Sequence, residues 1–305
     1  MENESVQRMT LGDVEIIRLV EWRGTFMPSR ELVPGAGAEV WRENREWLAP
    51  DHWEPETERA GGALQTWVLR SGGRTVVVDT GVGNGRERPG SQFHHWQGDF
   101  PGLLARAGIA PEEVDVVVNT HLHIDHVGWN TTPVEGGWAP TFPNARYLLP
   151  AADERWFGPE NEYAKGARAV DRLIYQDSIG PVHQAGLVDL WDGTHRIDEH
   201  LTLESAPGHT PGSAVLRLSS GGDRAVFVGD LMHSPVQILR PSCSSCLCLD
   251  PVQAAVSRRR ILERASEERE LVIPAHFGGA GAVQVRKVRD GFALGRWAAY
   301  GAAVR

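Results

Sequence analysis

Between positions 121 and 126 the chain reads His121-Leu122-His123-Ile124-Asp125-His126, four metal-capable side chains in six residues. The run follows directly on Val114-Asp115-Val116-Val117-Val118-Asn119, a short β-branched stretch of the kind that forms a buried strand. Three imidazoles and a carboxylate gathered at a strand end bring no structural benefit without a cation, so this segment points to a metal site. In extended backbone His121 and His123 point the same way, whereas the adjacent Asp125 and His126 diverge. One short loop can then offer ligands to two neighbouring ions.

Three further segments carry candidate ligands in the same kind of place. His209 lies in the turn-rich Ala206-Pro207-Gly208-His209-Thr210-Pro211-Gly212-Ser213, between expected strands 201–205 and 214–219. The apolar run Val226-Phe227-Val228-Gly229 ends in Asp230, and Leu271-Val272-Ile273-Pro274-Ala275 ends in His276. Strand ends are where α/β folds collect their chemistry. Together the four segments complete a two-metal donor set. Imidazole and carboxylate without thiolate suit zinc best, with iron, manganese or cobalt as alternatives.

In order, the HxHxDH run and the later His209, Asp230 and His276 resemble the ligand pattern of the metallo-β-lactamase-fold superfamily. The element Val76-Val77-Val78-Asp79-Thr80-Gly81 resembles that family's early Asp-Thr-Gly, and the likeness runs from about residue 62 to 277. The resemblance implies an α/β (α+β) fold, a four-layer αβ/βα sandwich of two mixed sheets flanked by helices, in one domain over 1–305. It implies that His121, His123 and His209 hold one divalent ion and Asp125, His126 and His276 a second. Asp230 would bridge the two, and Asp79 would orient a ligand imidazole from outside. The implied activity is hydrolysis of a carboxylic ester or lactone by a metal-bridging hydroxide, with Asp125, Asp230 and His233 as the catalytic residues. Gly229-Asp230-Leu231-Met232-His233, Asp250-Pro251-Val252-Gln253-Ala254 and Pro274-Ala275-His276-Phe277 are most similar to the methyl parathion hydrolase-like and lactonase branch.

Two departures from the family pattern shape these expectations. Many relatives follow HxHxDH with Gly-Gly, but here Gly128-Trp129-Asn130 follows, so Trp129, and with it Trp138, is expected to wall the pocket. Homoserine-lactone-cleaving members carry a Tyr where this chain has His233, a candidate acid or hydrogen-bond donor to the substrate. The alternatives are a thioesterase acting on acyl-carrier or coenzyme A thioesters, an iron-dependent redox enzyme, and a non-catalytic metal-binding protein. The redox alternative is the weaker, because diiron oxygen-reducing members typically have an acid where His123 stands.

The net charge of −9 and the lack of a long basic block argue against a nucleic-acid footprint. No apolar run approaches the ~20 residues of a membrane span. The polar N-terminus has no leader pattern, and Cys243, Cys246 and Cys248 form no disulfide framework, so the expected setting is cytoplasmic. Residues 22–60 hold Trp22, Trp41, Trp47 and Trp53 and read as an N-terminal extension or lid; such aromatics also suit a homodimer interface. Strands are expected at 64–70 and 74–79 and a helix at 98–108. Further helices are expected at 151–157 and 165–178, within an insertion over 151–180. A helix at 251–267 should be capped by Asp250 with Pro251 at its first position. Its Arg258-Arg259-Arg260 is expected on a solvated face, and the vicinal His94 and His95 are expected to diverge.

Overall fold

The structure, a computed structural model, describes residues 5–159 and 169–301. The N-terminal part forms a mixed sheet. It opens with β1 (Val6–Leu11), β2 (Val14–Pro28), the short β3 (Trp53–Glu54), β4 (Arg59–Ser71), β5 (Arg74–Val78) and β6 (Val116–Val118). After β6 the chain makes a separate hairpin, β7 (Thr131–Val134) and β8 (Gly137–Pro140). It then returns to the sheet as β9 (Arg146–Pro150) and β10 (Val188–Trp191). The order is β1-β2-β4-β5-β6-β9-β10, antiparallel up to β5 and parallel beyond it. Ser71-Gly72-Gly73 joins β4 to β5; both glycines have positive φ, 53° and 75°, as a two-residue hairpin loop of this hand requires.

The second sheet runs in sequence order: β11 (Thr194–Arg196), β12 (Leu201–Ser205), β13 (Ala214–Ser220), β14 (Asp223–Gly229), β15 (Leu271–Pro274), β16 (Val283–Val288) and β17 (Gly291–Trp297). Only β14 and β15 pair in parallel, and their crossover contains a long helix. Alternation along the strands builds the layers. Val76, Val78, Val116 and Val118 face the second sheet and meet Leu203, Leu216, Phe227 and Ile273 in the central core. Val77 and Val117 turn the other way, onto Phe100, Leu103 and Leu104 of an outer helix. Helix, sheet, sheet, helix is the four-layer αβ/βα sandwich.

Nine α-helices are described: α1 (Ser29–Leu32), α2 (Ala38–Glu43), α3 (Arg45–Leu48), α4 (Phe100–Arg106), α5 (Ala151–Phe157), α6 (Ala169–Ile174), α7 (Gly180–Gln184), α8 (Val236–Leu239) and α9 (Pro251–Glu268). A π-helical turn, Tyr175–Ile179, separates α6 from α7, so the helix expected over 165–178 breaks there; its residues 165–168 lie outside the described ones. In α9 the Asp250 carboxylate accepts Gln253 N–H at 2.9 Å and caps the first turn.

The structure corrects two local expectations. Residues 22–28 are no appendage; they are the second half of β2, paired with β4. Trp41 and Trp53 are buried against Leu32, Val33 and Leu48, so these indoles close a satellite core instead of covering a cleft. Of the three consecutive arginines on α9, Arg259 and Arg260 are exposed, but Arg258 is fully buried. Its guanidinium donates to the carbonyls of Leu231, Pro241 and Cys243.

Candidate metal centre

All seven candidate ligands project from loops at the ends of central strands. Asn119 follows β6 and leads into the His121–His126 turn; His209 sits between β12 and β13; Asp230 follows β14; His276 follows β15. The 121–126 segment is a tight turn, not extended chain, which brings the His121 and His126 rings to 3.9 Å centroid separation. Gly128 is required where this loop crosses the β5 end, since a Cβ there would lie 1.9 Å from the Val82 carbonyl.

The donors fall into two groups. His121, His123, His209 and Asp230 form one, and Asp125, His126 and His276 the other; within each, the donor atoms lie within 4.8 Å of one another. Asp230 faces both. Its Oδ2 lies 3.7 Å from His121 Nε2 and 3.4 Å from His209 Nε2, and its Oδ1 lies 3.3 Å from His126 Nε2 and 3.0 Å from His276 Nε2. Asp125 Oδ2 is 3.4 Å from His276 Nε2.

Hydrogen bonds on the outer side fix which imidazole nitrogen faces inward. His126 Nδ1 lies 2.8 Å from Asp79 Oδ2, and His276 Nδ1 lies 3.0 Å from the Ala63 carbonyl. With acceptors there, each Nδ1 carries the proton and each Nε2 presents a lone pair to the centre. Thr120 Oγ1 donates to Asp79 and accepts from His121 Nδ1, extending the same logic to a third ring. His126 Nε2 and Asp230 Oδ1 are buried without any hydrogen-bond partner. Converging lone pairs on buried, unsatisfied atoms are what divalent cations satisfy, so the residues fit two ions.

The electrostatics divide the rings, and protons compete with a cation for two of them. Burial, then the neighbouring imidazoles of His126 and His209, pushes His121 well below the usual histidine range; His209 is lowered in the same way. Burial also opposes charge on His126 and His276, but carboxylates outweigh it. Asp230, Asp79 and Asp125 hold His126 well up, and Asp230 with Asp125 brings His276 to about 9. Burial would raise Asp230, but His276, His126 and His233 hold it well below the usual carboxylate range.

A cavity of about 1180 Å³ opens over this centre, with His123, Asp125, Asp230, His233 and His276 in its lining. His233 is buried, with Nε2 3.1 Å from Asp230 Oδ2 and its ring stacked on His276. Gln237 Oε1 accepts the His233 N–H at 2.7 Å and holds the backbone there. Trp129 and Trp138 do not line the cavity. Trp129 stacks on Phe100 in the outer core, and Trp138 lies 4.1 Å from the Arg86 guanidinium. The apolar wall comes instead from Phe26 at the end of β2, Leu32, Phe93, Phe157, Ile174 and Leu249. The sequence carries no signal for these wall positions, which read as ordinary core residues. Cys246 and Cys248 also line the cavity, and Cys248 Sγ lies 3.8 Å from His209 Nδ1. His94 and His95 do not diverge: a φ of 54° at His95 stacks the two rings at 4.0 Å. His94 Nδ1 accepts the Arg88 N–H and His95 Nε2 lies 2.7 Å from Glu87, so both exposed rings are already engaged.

Residues 60–276 match the family described as the metallo-beta-lactamase superfamily. The chain belongs to that superfamily. Among curated proteins it is 29% identical over 184 residues to Ribonuclease TTHA0252 of Thermus thermophilus, covering 56% of this chain and 36% of that one. It is 25% identical over 178 residues to Probable metallo-hydrolase YybB of Bacillus subtilis, covering 58% of this chain and 66% of that one. The alignments thus span about a third and about two thirds of those relatives' lengths. Among solved structures, the hydrolase AbOPH of the beta lactamase superfamily superposes with TM-score 0.77 at 20% identity, over 95% of this chain and 96% of that one. AidC, described as a dizinc quorum-quenching lactonase, superposes with TM-score 0.75 at 19% identity, over 95% and 96%. At these identities the superpositions establish the superfamily fold. Among the described residues no helix is long and apolar enough to cross a membrane.

Proposed function

We propose that this metal-dependent hydrolase cleaves an uncharged carboxylic ester or lactone that carries a sizeable apolar group. The supporting observation is the cavity: its volume of about 1180 Å³, its walls of Phe26, Leu32, Phe93, Phe157 and Ile174, and no lysine or arginine among the described lining residues. Apolar walls bind an acyl or aryl group through burial, worth about 25 cal/mol per Å². A wall without cations leaves a phosphate or carboxylate on the substrate unpaired as it loses water, which disfavours coenzyme A thioesters and polynucleotides. A dizinc lactonase with the same fold adds weight to lactone chemistry; His233, in place of the Tyr of homoserine-lactone cleavers, keeps the choice between ring and open ester free.

In this reading His121, His123 and His209 would hold one ion and Asp125, His126 and His276 the other, with Asp230 available to both; zinc would suit the nitrogen and oxygen donors. When bound, such ions lower the pKa of a coordinated water toward 7 and polarise a substrate carbonyl. The chain's own residues do the rest. Asp230 and Asp125 hold imidazoles at fixed spacing. The apolar walls orient the acyl group and exclude bulk water. His233 faces the cavity from beside Asp230 and donates a hydrogen bond to the carbonyl oxygen or a proton to the leaving alkoxide.

The test is proton release by zinc-loaded protein on a matched aliphatic lactone, aryl ester, neutral acyl thioester, coenzyme A thioester and phosphotriester, with chelated protein as blank. A rate on lactone or ester that disappears in the blank is expected. A preference for the coenzyme A thioester, or no hydrolysis of any substrate, would sink the proposal.

A further inference from the structure

Each half of the metal centre is a junction between the two sheets. His121, His123, Asp125 and His126 come from the loop after β6 of the first sheet, whereas His209, Asp230 and His276 come from the second. Ligand spacing therefore depends on how the loops of one sheet are tied to those of the other. Three buried polar side chains make such ties, and none is among the candidate ligands.

Asp153 lies on α5, fully buried. Its Oδ2 accepts Leu122 N–H at 3.0 Å, between His121 and His123. The same carboxylate accepts the Thr210 hydroxyl at 2.8 Å and Gly212 N–H at 2.5 Å, both in the turn that carries His209. One side chain thus joins the two loops of the first half. Arg18, on β2, is also fully buried. It donates from Nη1 to the Gly279 carbonyl at 2.6 Å, from Nη2 to the Phe277 carbonyl at 3.2 Å and from Nε to Gln65 Oε1 at 2.6 Å. Gln65, on β4, donates from Nε2 to the carbonyls of Pro274 and Phe277 at 3.2 and 3.3 Å. The pair grips the backbone on both sides of His276 from the opposite sheet.

We propose that these are two independent positioning clamps: Asp153 sets the His121/His123/His209 half, and the Arg18–Gln65 pair sets the half completed by His276. The proposal rests on the metal-centre assignment above. Its distinguishing consequence is selectivity. A side chain that merely supports the fold weakens both halves together; a clamp on one junction weakens one ion and spares the other.

The test uses the full chain, stripped with chelator and titrated with zinc against a competing chelator. Imidazole ¹⁵N resonances report His121 and His209 separately from His126 and His276. Removing a partner that orients ligands typically lowers metal affinity by about 10–100-fold. Arg18→Met is expected to produce that loss for the ion sensed by His126 and His276 and to leave the other within a few-fold of wild type. Asp153→Asn, whose amide meets two N–H donors where a carboxylate stood, is expected to do the reverse. Equal weakening of both ions, or wild-type affinity for both, overturns the proposal. Should either variant fail to fold, Gln65→Leu and Thr210→Val each remove part of one clamp and must show the same split on a smaller scale. A wild-type chain that binds fewer than two ions overturns the metal-centre assignment as well; two ions in wild type with no split in the variants overturns the clamps alone.

Discussion

Asp79 is held in the left-handed region, φ 56°, where it accepts Thr120 N–H at 2.7 Å and faces His126 Nδ1. Asn tolerates the same backbone, so Asp79→Asn separates shape from charge. Its amide directed at His126 would turn Nδ1 into an acceptor and put the ring proton on Nε2, the nitrogen that faces the centre. Zinc affinity is expected to fall about 10–100-fold with an unchanged circular dichroism spectrum; unchanged affinity by competition titration would show that the tautomer is set elsewhere. At His233, replacement by Phe keeps a ring to stack on His276 but removes both nitrogens. Turnover is expected to drop by about 100-fold or more while metal content stays the same, checked by kcat alongside metal analysis. At this scale the donor cluster was legible in the sequence: the fold gathers all seven named donors into two groups. Trp129 and Trp138 were not, because an indole carries no sign of which side of a loop it will face, and Phe100 and Arg86 claim them.

Among the elements, those with local signals stand close to their expected places: the β4–β5 hairpin with its two glycines, and α9 with its Asp250 cap. Helix α5 also matches 151–157, yet what it does is tertiary. Burial raises its Asp153 carboxyl to about 6 from an ordinary 3.8, against the opposing effect of the Thr210, Gly212 and Leu122 hydrogen bonds. A raised acid binds its proton more tightly in the native state than in the unfolded one. Its contribution is therefore greatest below about pH 4 and is lost as pH rises through 6, a difference of about 3 kcal/mol for two pKa units. Urea unfolding of the metal-free chain at pH 4 and pH 7 is expected to show wild type losing roughly that much relative to Asp153→Asn. Parallel pH dependence in the two proteins would contradict the raised pKa. Arg258 shows the opposite failure of local reasoning. Its neighbours Arg259 and Arg260 are solvated as a charge run should be, but one position on a helix turns by about 100° and meets the 241–243 backbone instead.

For the whole molecule, the metal-free centre concentrates charge where two sheets meet, with His126 and His276 drawn toward the protonated form by Asp230 and its neighbours. Zinc must displace those protons. Calorimetric loading near pH 7.5 in buffers of different ionisation enthalpy is expected to show net proton release, and the apparent affinity to fall as pH falls. Loading without proton release would mean that the ions bind elsewhere. By itself the sequence determined the superfamily, the four-layer class of fold, the strand ends and the identity of the donors. Those features rest on short-range chemistry: period-two alternation, glycine turns, a cap, and ligands spaced within one loop. Only the tertiary structure decided which walls enclose the substrate, which aromatics are core, and which buried side chains tie the two sheets at the site. Asp153 reaches 31 residues back to Leu122 and 57 forward to Thr210, and Arg18 reaches 259 residues to Phe277. Partners that distant leave no periodicity in the chain; they are chosen when the sheets pack face to face and each buried polar group takes the donor or acceptor that arrives beside it.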